Sequence, residues 1–267
     1  MGYPGEKQKD QFIIGKRLDN FFSGVYDVYV FTKQFFKEVF LPPYEFQEII
    51  RQCYDVGYRS LALISLTGFI TGLVFTKQSR PSLAELGATS WLPGLIAIAI
   101  VRALAPLITA LISAGKVGSN MGAELGSMRV TEQIDAMEVS ATDPFKFLVV
   151  SRVVATTIMV PVLATYMCFI GLMGAFVNVH SNEQTSLIAF FQHGFASISF
   201  LDLFASVGKS VIFGFTIGLT GCYQGYNAAK GTQGVGKAAN KAVVISMFLI
   251  FIEEMLIVQI VNAIRPV

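Results

Sequence analysis

Residues 91–114 read WLPGLIAIAIVRALAPLITALISA, 24 positions in a row with Arg102 as the single charged side chain. A helix rises about 1.5 Å per residue, so about 20 apolar residues cross the roughly 30 Å of hydrocarbon in a bilayer. Four more apolar runs lie at 56–76, 147–179, 204–223 and 242–264. The 267-residue chain is 53% hydrophobic and 14% charged, where a soluble domain carries about 25% charged residues. Its mean hydropathy is +0.59. The pattern predicts an all-α integral membrane protein with about five transmembrane helices.

Composition also excludes other classes. A net charge of +2, with basic residues scattered over the loops, argues against a nucleic-acid partner. Cys53, Cys168 and Cys222 are far apart with no CxxC spacing, and two of them fall in apolar runs, so they read as small buried residues. His180 and His193 lack the spacing of a metal site. The N-terminal stretch MGYPGEKQKDQFIIGKRLDN has no apolar core of a cleavable signal, so insertion is expected to use the internal spans.

Residues 1–55 are expected to form a cytoplasmic N-terminus, and 56–267 the membrane domain. Within 18–40, Leu18, Phe22, Val25, Tyr29, Phe36 and Phe40 recur at helical spacing, while Asp19, Ser23, Asp27, Lys33 and Lys37 interrupt them. This is the pattern of an amphipathic helix in the membrane interface, or of one packed on other protein. Pro42 and Pro43 end it. Gly68 and Gly72 give the first span a GxxxG contact face, and glycines 208, 214, 218 and 221 do the same for the fourth.

The segment 116–142 is too charged to span. Asp143-Pro144 then starts the third span, the Asp as N-cap and Pro at the first helical position. The mixed stretch 180–203 is placed along the opposite face. With the N-terminus inside, 15 of the 20 Lys and Arg residues fall on the cytoplasmic side, only Lys77, Arg80 and Arg265 fall outside, and Arg102 and Lys209 lie within spans. The positive-inside rule prefers that orientation.

If 120–139 is one helix, Glu124, Thr131, Asp135 and Glu138 share a face within about 40°. Such a stripe is either a solvated surface or a dock for a basic groove. The block GKVGSNMGAELGSMRVTEQIDAMEV at 115–139, with RQCYDVGYRSL at 51–61 and TGFITG at 67–72, resembles the MlaE/YrbE-type permeases of ABC transporters that work with MCE proteins. The likeness extends over most of the chain. It implies that residues of about 120–140 form the cytoplasmic coupling helix, with Glu124, Arg129, Glu132, Asp135 and Glu138 meeting the ATPase. It further implies a homodimeric permease in the bacterial inner membrane, a cytoplasmic ABC ATPase carrying ATP and Mg, an MCE-domain protein, and a phospholipid or related lipid as cargo. No cofactor is expected in this chain, nor any catalytic residue.

One departure stands out. Residues 102–106 read Arg-Ala-Leu-Ala-Pro, where many such relatives have Arg-Glu-x-Gly-Pro, so Ala103 replaces a carboxylate. Candidate lipid-binding residues are Arg102, Lys209 and Glu254, because intramembrane charges are costly and usually functional. Glu253 and Glu254 are candidate partners of Arg102, the plain reading being an ion pair between helices. Lys209 is read either as a lipid contact or as a side chain snorkelling to the outer interface. GTQGVGKA at 231–238 falls short of a P-loop, lacking the final hydroxyl and a preceding strand, and is expected to be the turn between spans four and five. The alternatives are a proton-coupled transporter using Glu253 and Glu254, and a membrane scaffold that only holds partners.

Overall fold

A computed structural model describes residues 5–42 and 44–264, with side chains from residue 22 onward. The side chains of Leu18 and Asp19, and all of Pro43 and Arg265, lie outside the described residues. The chain divides into two compact units, residues 1–44 and 45–267. Among its described residues the first holds one helix, α1 (Gly5–Val39), on which Phe22, Tyr26, Tyr29 and Phe36 are exposed.

The second unit contains α2 (Phe46–Glu85), α3 (Thr89–Val130), α4 (Gln133–Val139), α5 (Phe145–Glu183), α6 (Leu187–Ala196), α7 (Phe200–Tyr226) and α8 (Thr232–Ile264). Five helices among the described residues, α2, α3, α5, α7 and α8, are long and apolar enough to cross a membrane. The expected domain boundary at 55/56 lies inside α2, which is interrupted only by a 3-10 turn at Tyr58–Ser60. The compact unit begins at Glu45.

The middle of the bundle is α5, which packs against α2, α3 and α7, while α8 packs against α3 and α7. Of the five spans α5 is the most buried and α8 the least, so α8 turns the larger part of its apolar surface outward. One core gathers Ile64, Ile96, Leu163, Met167 and Phe190, and a second gathers Val160, Phe213, Ile217 and Ile250.

Glycine sets the tightest crossings. A Cβ on Gly72 of α2 would lie 1.9 Å from the Gly171 carbonyl oxygen of α5, and one on Gly174 would lie 2.2 Å from the Phe69 oxygen. The GxxxG face is thus matched by small residues across from it, and backbone meets backbone. The fourth span does the same at Gly214, 2.5 Å from the Thr156 oxygen, whereas Gly208 has nothing within 4 Å.

One connection is filled in by the structure and another differs from expectation. The region 180–203 resolves into the end of α5, the short helix α6 capped by Ser186, and the head of α7. Only 227–231 forms the last turn, with Gly231 at φ +97°, and the remaining glycines of GTQGVGKA already belong to α8. Asp143 does serve the start of α5, its carboxylate accepting from the Lys146 N–H at 3.2 Å.

Candidate functional site

Three residues singled out from sequence converge in space. Lys209 of α7 is 4% exposed and donates to both carboxylate oxygens of Glu254 on α8, at 2.8 and 3.0 Å. Its ammonium also donates to the backbone carbonyl of Arg102 on α3. Pro106, four residues on, has no N–H to give that carbonyl, and its ring crowds it. The helix widens into a π-segment at Ile100–Leu104, a distortion common at functional sites. The local sequence Arg-Ala-Leu-Ala-Pro therefore frees an acceptor for the lysine.

Arg102 finds its carboxylate elsewhere than expected. Its Nε lies 2.9 Å from Asp202 Oδ1 at the head of α7, not beside Glu253 or Glu254. The other oxygen of Asp202 accepts from the Ser199 N–H and hydroxyl, at 3.1 and 3.0 Å, closing a capping box. Asp202 is the carboxylate of this cluster that sequence reading missed, although Ser199-x-x-Asp202 is a capping signature. Lys209 does not snorkel: it is buried and paired, because Glu254 and the Arg102 carbonyl offer it partners that the interface would otherwise supply. Glu253 accepts from the Thr216 hydroxyl at 2.5 Å, and its second oxygen is buried without a hydrogen bond.

The resulting chain Asp202–Arg102···Lys209–Glu254 balances two cations against two carboxylates. It borders a cavity of about 320 Å³ that Ala103, Ile257 and Val258 also line. A second cavity, about 450 Å³ and walled by Val101, Cys168, Leu172, Leu203 and Val207, lies between α5 and α7 and is apolar. Ala103 is exposed, so a small side chain stands on the cavity wall.

The acidic segment is not the single stripe expected. The helix ends at Val130, Thr131 tightens onto the Ser127 carbonyl through both its N–H and its hydroxyl, and Glu132 takes a left-handed φ of +58°. That break redirects the chain into the two turns of α4. Glu124 stays on α3 and faces Arg152, which is 2% exposed, at 3.0 Å. Arg129 reaches across the break to Asp135 at 2.6 Å, an exposed pair of little energetic weight. Glu132 faces Lys230 of the α7–α8 turn at 3.7 Å, so α4 and that turn share one end of the bundle. Asp135, Glu138 and Val139, the last 90% exposed, are left facing outward, while Ile134 is buried and anchors the helix.

Comparison with known proteins follows the same outline. The family model described as Permease MlaE matches residues 49–260. A probable ABC transporter permease protein of Rickettsia felis is 35% identical over 248 residues, covering 92% of this chain and 95% of that protein. One from Synechocystis sp. is 35% identical over 237 residues, covering 89% and 90%. A probable ABC transporter permease protein of Pyropia yezoensis is 34% identical over 210 residues, covering 77% and 78%.

Proposed function

This chain belongs to the MlaE permease family, and from that premise we propose that it is the permease of an ATP-driven phospholipid transporter in the bacterial inner membrane. It has no hydrolytic role of its own. ATP and Mg belong to a cytoplasmic ABC ATPase, which meets α4. The permease works as a homodimer with its N-terminus inside, and passes lipid to or from an MCE-domain protein on the outer side.

The observation that carries the reading is α4. A two-turn helix anchored by Ile134, with Asp135, Glu138 and Val139 outward, is a protrusion built for a partner rather than for the core of its own chain. Glu132, facing Lys230, supports the turn that aims it, and Glu124 ties the preceding helix to α5 through Arg152. A push on α4 is thereby passed to the most buried helix of the bundle. The lipid reading is supported by a charge-lined cavity and a nearby apolar one, the two halves of an amphiphile's chemistry. The outward apolar face of α8 supports pairing of two copies.

Asp135→Lys/Glu138→Lys tests this. Both side chains are exposed, so stability should stay within about 0.5 kcal/mol per site. Purified from native membranes in mild detergent, the wild type is expected to bring an ATPase with lipid-stimulated activity, and the double variant to lose at least tenfold of that activity. Full activity in a correctly folded double variant would overturn the assignment of α4.

A further inference from the structure

A second polar cleft lies at the α4 end of the bundle, fourteen residues along α3 from Arg102, or about 21 Å away. It opens between the start of α2 and the last turns of α3, with a volume of about 190 Å³, and presents Asp55, Arg59, Lys116, Asn120 and Glu124. Both carboxylates are already matched, Asp55 with Arg59 Nε at 3.1 Å and Glu124 with Arg152 at 3.0 Å. Arg59 and Lys116 are the cations that line the cleft, while the buried Arg152 engages Glu124 from outside its lining. Among the described residues Lys116 has no carboxylate within ion-pair distance, and its ammonium donates to the backbone carbonyl of Arg59. The Arg59 side chain is 66% exposed, so most of its guanidinium stays available beside Lys116. An anion with several acceptor oxygens is the ligand that satisfies this set.

The depth of the cleft says which anion. On α2, Phe46, Ile50, Tyr54 and Tyr58 are exposed at four-residue spacing, and the two tyrosine rings stack at 5.0 Å. Aromatic side chains of this kind settle at the headgroup layer. Leu63 and Leu66, four and seven residues beyond Arg59, continue the cleft's face of α2 and are exposed, as suits hydrocarbon. Arg59 and Lys116 therefore stand at the boundary, cations at headgroup level with an apolar track leading into the membrane.

We propose that this cleft binds the phosphate of a phospholipid from the leaflet on the α4 side. Lys116 and Arg59 hold the phosphate, the Asn120 amide donates to it, and the acyl chains follow Leu63 and Leu66. The site is separate from the Asp202–Arg102···Lys209–Glu254 chain and stands or falls apart from the transport reading, since its test needs neither ATPase nor turnover.

The test is native mass spectrometry of the full chain in detergent, titrated with dioleoylphosphatidylglycerol. Lys116→Gln is expected to lose one bound lipid per chain, or to weaken that site at least tenfold, and Lys116→Arg to restore it. Asn120→Leu, at an exposed position that leaves the fold intact, should weaken it severalfold and gives an answer even if Lys116→Gln unfolds. Dioleoylglycerol, which has no phosphate, should not occupy the site. Unchanged binding in Lys116→Gln or Asn120→Leu overturns the proposal, as does equal binding of dioleoylglycerol. Displacement of the lipid by millimolar inorganic phosphate would assign the cleft to free phosphate instead and also overturns it.

Discussion

Lys209→Leu is expected to lower the unfolding free energy by about 3 to 5 kcal/mol and to abolish transport, because it strands a carboxylate inside the bundle. Lys209 and Glu254 have side chains 4% and 14% exposed, so solvent does little to screen either charge. Without the ammonium, Glu254 loses both of its short hydrogen bonds and the Arg102 carbonyl loses its donor. The pair alone is a weak argument for stability, since apolar side chains of similar volume often replace a buried ion pair without loss. Lys209→Leu/Glu254→Leu should therefore recover most of the thermal stability in detergent while transport stays lost. A double variant that transports lipid normally would reduce the pair to a structural contact between α7 and α8.

Gly72→Leu is expected to prevent the bundle from forming. Even the first carbon of the new side chain falls 1.9 Å from the Gly171 oxygen, and what must move is backbone on the most buried helix rather than the end of a flexible side chain. Overpacking of a well-filled core costs about 1 to 3 kcal/mol where side chains can adjust, and more where they cannot. The control is Gly208→Ala, which has open space around it and gains helix propensity of about 1 kcal/mol. Membrane abundance and melting temperature should collapse for the first and hold or rise for the second. Normal accumulation of Gly72→Leu would mean that α2 and α5 do not cross as closely as described.

These two sites also show what the sequence makes legible. The crossing at Gly72 could be read early, because a GxxxG pair inside an apolar run has one dominant structural use. The spans themselves were legible because lipid imposes a length and a composition that no loop satisfies. The clustering of Arg102, Lys209 and Glu254 could be suspected from cost alone, yet their pairing could not. Asp202 sits at the head of α7, and whether a carboxylate there caps its own helix, reaches another or does both depends on how two helices pass. The acidic segment misled for a related reason. Helical periodicity joins Glu124 to Glu138 on one face, but the left-handed Glu132 and the tightened turn at Thr131 break the helix between them. No rule of residue spacing marks a glutamate for that conformation. Arg152 was legible only as a basic residue near a membrane boundary, although its burial and its bond to Glu124 add an ion pair to the packing of α3 on α5.

The most direct test of the account places this chain and its ATPase in proteoliposomes and follows a fluorescent phospholipid out of the bilayer. Movement is expected to require ATP, to stop with Asp135→Lys/Glu138→Lys, and to be indifferent to a proton gradient. Movement driven by a proton gradient without ATP, and lost on neutralising Glu253 or Glu254, would contradict it and make the chain a secondary transporter.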